Sequence, residues 1–270
     1  MTSPSISSSQ AKPSQPTHPV TPIVLITGGS RGLGRSAALA AARSGIDVVL
    51  TYLSKSTEAQ AVVAEIESMG RRAVALPLDV GNVRSFEAFA GQLAQALQTQ
   101  WQRERFDFLV NNAGMGVHAP LAETTEAQFD ALMNVHLKGV FFLTQQLLPL
   151  MNDGGRILNF SSGLARFALP GYGAYAAMKG AIEVLSRYQA KELGPRGIAV
   201  NVVAPGAIET DFGGGAVRDN ADLNAYVAAQ TALGRVGQPD DIGPLVAALL
   251  QPATRWVNAQ RIEASGGMFL

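Results

Sequence analysis

The chain has 270 residues, with 21 basic and 21 acidic side chains in formal balance. No basic field argues for nucleic acid or an anionic membrane surface as a partner. Zero cysteines exclude disulfides, thiolate catalysis and cysteine metal sites, and the composition suits a cytoplasmic enzyme. The three histidines, His18, His118 and His136, lack metal-ligand spacing, and no apolar run nears the roughly 20 residues that cross a bilayer, so neither a metal nor a membrane is expected.

Residues 1–22 hold six Ser and five Pro, with Lys12 as the only charged side chain. Such a segment buries too little apolar surface to offset its ordering entropy, so a disordered tail is expected ahead of a domain over 23–270. Beyond it, β-rich apolar runs occur at 23–27, 47–52, 73–76, 106–111, 156–160 and 198–204, with a weaker one at 261–264. They are continuously apolar rather than alternating, as parallel strands covered on both faces are. Helical patterns lie between them, at 36–44 with Gly45 as its stop, at 125–151 with Thr125 and Gln128 in a capping box, and at 172–193. The pattern predicts an α/β fold: one doubly wound parallel sheet of about seven strands, undivided by any linker.

Four segments carry candidate chemistry. Thr27-Gly-Gly-Ser-Arg-Gly-Leu-Gly34 stands between the first strand and its helix. A glycine turn there lets backbone approach a phosphate, while the helix N-terminus offers free N–H groups and a positive dipole end. Asn111-Asn-Ala-Gly114 ends the fourth strand, where ligands bind in open α/β sheets. Asn159-Phe-Ser-Ser162 ends the fifth and offers a hydroxyl thirteen residues before Tyr175. Tyr175-Ala-Ala-Met-Lys179 then sets a phenol and an ammonium four apart on one helix face, a spacing at which the cation favours the phenolate.

In this order the four motifs resemble the short-chain dehydrogenase/reductase family, in its compact single-domain branch, with similarity to 3-oxoacyl-carrier-protein reductase-like members from about Pro22 to Leu270. The resemblance implies a Rossmann fold that binds NAD(H) or NADP(H) and moves a hydride between nicotinamide and a carbonyl or alcohol carbon. It implies Tyr175 as general acid/base and Lys179 as the residue that lowers the tyrosine pKa and holds the nicotinamide ribose. Ser162 would orient the carbonyl oxygen, and Asn134 would support a water-linked relay to the lysine. Coenzyme contacts are implied at Gly28, Ser30, Arg31, Gly32, Leu33 and Gly34, then at Tyr52, Ser54, Asp79 and Val80. Further along they fall at Asn111, Ala113 and Gly114, and at Pro205, Gly206, Ile208 and Thr210, with Tyr175 and Lys179 between. The chain departs from the family at Met178, where Ser is frequent, and at His136, where Asn is. It departs again at Ala259 and Ser265, where Gly and Asp are frequent.

The second strand ends Leu50-Thr-Tyr-Leu-Ser-Lys55, with no carboxylate to repel a 2′-phosphate, and Arg31 sits in the glycine turn. NADP(H) is therefore expected in preference to NAD(H). A Gly-rich lid at Gly213-Gly-Gly215 carries Phe212, Val217, Leu223 and Tyr226 among charged neighbours, leaving the small carbonyl or alcohol substrate open. The helical stretches at 125–151 and 172–193 are apolar over a wide arc, which predicts a homotetramer or homodimer. Two rival functions share parts of the pattern. Gly28-Gly-Ser30-Arg-Gly32 also fits a serine-hydrolase elbow, although no histidine follows His136. A non-catalytic dinucleotide sensor could use the same fold, although it would not need the proton-transfer residues.

Overall fold

The computed structural model describes residues 21–270. All but the last two residues of the expected tail, and His18 with them, lie outside the described residues. Seven strands form one sheet in the order β3-β2-β1-β4-β5-β6-β7. They are β1 (Ile23–Ile26), β2 (Asp47–Tyr52), β3 (Ala73–Pro77), β4 (Phe106–Asn111), β5 (Met151–Phe160), β6 (Ala199–Pro205) and β7 (Arg261–Ala264), and every pairing is parallel. The continuously apolar runs have the cause expected of them. In β1, Val24 and Ile26 enter the core on one face, and Ile23 and Leu25 enter a second core on the other.

On the first face pack α1 (Gly32–Arg43), α2 (Ser56–Ser68) and α9 (Pro239–Leu249). The alanine-rich α1 lies close against α9, where a Cβ on Gly243 would stand 2.2 Å from the Ser36 hydroxyl. On the second face lie α3 (Phe86–Trp101), α5 (Gly139–Leu147) and the long α6 (Gly173–Leu193). Short α7 (Ala216–Asp219) and α8 (Ala221–Ala229) follow β6 and form a cap over the C-terminal ends of the strands. Among the described residues no helix is long and apolar enough to cross a membrane, and no cluster of His, Cys, Asp and Glu could hold a metal.

The helix predicted over 125–151 is not continuous. It starts as expected, with the Thr125 and Gln128 capping box closed in both directions. After α4 (Glu126–Met133) a π-helical segment, Asn134–Lys138, inserts before α5, and β5 begins at Met151 rather than at Arg156. Close backbone contact accompanies the break. A Cβ on Gly139 would lie 2.1 Å from the Val80 carbonyl oxygen and 2.8 Å from that of Asn134. Gly139 thus lets the helix press on the segment that follows β3. We expect Gly139→Ala, which has only backbone to displace, to cost about 1–3 kcal/mol as overpacked sites do. A thermal melt should read this as a fall of about 2–10 °C.

Candidate active site

β1 pairs with β2 on one side and β4 on the other, so a crevice opens where the chain reverses its direction of winding. The turns after β1 and β4 are clasped together there. Asn112 Nδ2 donates to the carbonyls of Thr27 at 2.9 Å and Gly28 at 3.2 Å. The Thr27 hydroxyl accepts from the backbone N–H groups of Asn112 and Ala113, both at 3.0 Å. The fit requires glycine. Gly28 has φ +67°, and a Cβ on Gly34 would stand 2.2 Å from the Gly28 carbonyl.

A cleft of about 630 Å³ runs from the end of β2 across this crevice to the loops after β5 and β6. Its coenzyme half fits a dinucleotide. The N-cap of α1, Arg31, makes no side-chain cap and the first turn holds no acid, so the helix presents free N–H groups and its positive end to the cleft. Thr51, Ser54, Lys55 and Arg31 line the far end. When bound, a nicotinamide dinucleotide supplies or accepts a hydride.

The other half holds the acid/base candidates. Tyr175 and Lys179 are one turn apart on α6, 7% and 5% exposed, with Nζ 5.6 Å from the phenol ring centroid. Lys179 Nζ donates to the Phe160 carbonyl at 2.7 Å. Burial pulls the lysine pKa down to about 7. Burial also pushes the Tyr175 phenol above its usual range, and the Ser162 hydroxyl offsets part of that rise. Rings close the site off: His136 stands edge-on 5.1 Å from Tyr175, and Phe212 lies 5.7 Å from it.

The backbone at the end of β5 is held from behind. Ser161 Oγ donates to Glu183 at 2.7 Å, and Arg261 of β7 donates to Glu183 at 2.7 Å and to the Ser162 carbonyl at 3.3 Å. Ser162 Oγ accepts from the Leu164 N–H at 3.2 Å and remains part of the cleft wall.

Of the residues singled out in the sequence, Ser162, Tyr175 and Lys179 line the cleft, and so do the expected coenzyme contacts at 28, 30–34, 52, 54, 79, 80, 113, 114, 205, 206, 208 and 210. Asn111 and Asn134 do not. Asn111 is the last residue of β4 and turns inward, donating to Asn159 at 2.8 Å and Thr144 at 3.2 Å; Asn112 holds the place at the cleft. Asn134 opens the π-helical segment, and two residues on it is His136 whose ring enters the site. Among the described residues Ser30 shows no hydrogen bond to a histidine, and the His136 ring is engaged with the Met115 backbone, so no hydrolase pairing is assembled among them. Met115, Phe167 and Met268 also line the cleft, brought there by tertiary folding.

A family model described as enoyl-(acyl carrier protein) reductase matches residues 28–269. An uncharacterized oxidoreductase of Methylorubrum extorquens is 38% identical over 246 residues, 91% of this chain and 97% of that protein. Among solved structures, the promiscuous reductase LugOII, which catalyses keto-reduction at C1 during lugdunomycin biosynthesis, is 38% identical with a TM-score of 0.88. That match covers 93% of this chain and 99% of LugOII. The angucycline C-6 ketoreductase LanV, solved with bound NADP, is 34% identical over 93% of this chain and 96% of its own, also at 0.88. The chain belongs to the short-chain dehydrogenase/reductase family of oxidoreductases.

Proposed function

We propose that this protein reduces the carbonyl of an uncharged, ring-bearing ketone, with NADPH as the preferred hydride donor and Tyr175 as the proton donor. The observation that carries the reading is the convergence of the Ser162 hydroxyl, the Tyr175 phenol and Lys179 at the junction of the two halves of one cleft. Ser162 and Tyr175 hydrogen-bond the ketone oxygen. As the hydride reaches carbon, that oxygen takes the phenol proton, and Lys179 favours the phenolate left behind. Leu164, Phe167, Phe212, Val217, Leu223 and Met268 line the substrate half with apolar surface that suits a bulky ring system. The keto-reductions named for LugOII and LanV agree with it.

Tyr175→Phe should keep the fold and coenzyme affinity while lowering ketone turnover about 10²–10⁴-fold, the usual loss for a general acid. An NADPH-consumption assay over a panel of aromatic ketones measures this. Turnover near the unaltered level would overturn the assignment.

Preference for NADPH rests on Arg31, Lys55 and the absence of a carboxylate at the end of β2. Arg31 is 57% exposed at its side chain and holds Asp211 at 3.2 Å, a pair loose enough for a phosphate to displace. Arg31→Ala should lower kcat/KM for NADPH about tenfold or more, from the loss of a charge-assisted hydrogen bond of about 1.5–3 kcal/mol. NADH should be barely affected, and equal losses for both coenzymes would refute the assignment.

Assembly follows from surface that the monomer leaves open. Phe129, Phe141 and Phe142 of α4 and α5 are 41%, 43% and 38% exposed, and Val184 and Tyr188 of α6 are 45% and 64% exposed. These helices fit a two-fold pairing within a homotetramer or homodimer. Light scattering should return a multiple of the 28.3 kDa chain mass, and a single-chain mass at micromolar concentration would overturn this.

A further inference from the structure

β7 is the last strand of the sheet, and its two faces differ. Ile262 and Ala264 pack on the first core, so alternation turns Arg261 and Glu263 toward the face on which α6 lies. A chain of alternating charge runs from there behind the turn that carries Ser162. Arg261 divides its guanidinium among three acceptors. Nε donates to Glu183 at 2.7 Å, Nη1 to Glu263 at 2.7 Å and Nη2 to the Ser162 carbonyl at 3.3 Å. Glu183 also accepts from the Ser161 hydroxyl at 2.7 Å. Glu263 also accepts from Nε and Nη2 of Arg166, each at 2.7 Å. Arg166, with Ser265 and Arg261, holds the Glu263 carboxyl down at about 2 against the opposing effect of burial, so it stays ionised at working pH.

The side chains of Arg261, Glu183 and Glu263 are only 24%, 17% and 21% exposed. At such sites the loss of hydration largely offsets the attraction between charges, so the set contributes little net stability. What the fork of directed N–H bonds does supply is geometry. That geometry meets the Ser162 turn. The Ser162 carbonyl accepts from the Ala165 N–H at 3.1 Å as well as from Arg261, and Ser162 Oγ accepts from the Leu164 N–H at 3.2 Å. Leu164 engages one lone pair of the hydroxyl, which leaves its O–H to donate into the cleft.

We propose that Arg261 is a positioning residue for Ser162: its three-way fork, acting on the Ser162 carbonyl and through Glu183 on Ser161, fixes the turn that aims the Ser162 hydroxyl into the cleft. The consequence for ketone turnover rests on the function proposed above, whereas the effect on the turn does not.

Two substitutions separate the charge from the fork. Arg261→Met removes both, whereas Arg261→Lys keeps the cation on a single nitrogen that cannot stand at three separate acceptors. The Leu164 N–H is the reporter, because its partner is the Ser162 hydroxyl oxygen itself. Hydrogen exchange of the full-length protein, read by mass spectrometry with fragmentation to single residues, follows it. The Ser161 N–H, which donates to the Val203 carbonyl at 2.8 Å, reports on the β5–β6 ladder in the same spectra. Ser162→Ala gives the Leu164 rate without its partner. We expect Leu164 to exchange about tenfold faster in both Arg261 variants, with Ser161 within about twofold. In the ketone assay both should lower kcat about tenfold while KM and NADPH affinity stay within about twofold. Placed in the Ser162→Ala background, the same substitutions should lower kcat by less than about a further twofold. Unchanged Leu164 exchange in either variant, equal acceleration at Ser161, or equal kcat loss with and without the Ser162 hydroxyl overturns the proposal. A merely structural role would lower the melting temperature, be largely restored by lysine and produce no split between the two amides. The lysine variant carries the test alone if the methionine variant does not fold. A ketone panel without turnover refutes the ketone-reductase reading and leaves the exchange result to decide this one.

Discussion

The clasp between the turns after β1 and β4 is the constraint on which the rest of the structure depends. Asn112 and Thr27 tie the two turns by four hydrogen bonds, leaving no room for a Cβ at Gly34. The clasp fixes the start of α1, and so aims its uncapped N–H groups into the crevice. It also fixes the exit of β4, where Ala113, Gly114 and Met115 pass directly against His136. A Cβ on Gly114 would lie 2.8 Å from the His136 ring, so even the packing beside Tyr175 rests on that turn. Coenzyme cradle and acid/base site are thus two sides of one backbone crossing, which couples their geometry without any moving part.

Much of this was legible in the sequence because it depends on local rules. Seven strand segments were visible as apolar runs, since strands buried on both faces cannot alternate. The glycine turn and the Tyr175–Lys179 pair were visible because each function demands specific residue types at fixed spacing. Which asparagine of the pair faces the cleft was not legible, because neighbouring residues at a strand end point opposite ways: 111 into the core network with Asn159 and 112 to the cleft. Asn134, named by the resemblance, opens a π-helical segment that the α-helical period over 125–151 did not signal. The π-helical segment changes the helical phase before α5, and the close approach of Gly139 to Val80 that accompanies it is long-range. Ala259 is a further case: the chain keeps alanine where family members often have glycine, and it holds φ +59°, a strained backbone for a residue with a Cβ.

Burial governs the electrostatics of the site. It displaces both Tyr175 and Lys179 toward their neutral forms, because neither meets enough solvent or polar surroundings. The Ser162 hydroxyl offsets part of the rise at the phenol, and the Phe160 carbonyl accepts from the lysine.

The cleft divides by charge along its length. Arg31, Lys55 and the α1 terminus gather positive character where a coenzyme's phosphates would lie. Past Tyr175 the walls are largely aliphatic and aromatic, and close by in the chain Arg166 is paired with Glu263 and Arg218 with Asp211 and Asp219. An anionic substrate would lose hydration against these apolar walls, whereas a neutral ring system loses little. Gly213, Gly214 and Gly215 all have positive φ beside Phe212, so the one aromatic ring that overlies Tyr175 from the lid is carried on the backbone best able to swing aside. On the function proposed above, the apolar walls and the Phe212 ring would both bear on the same substrate.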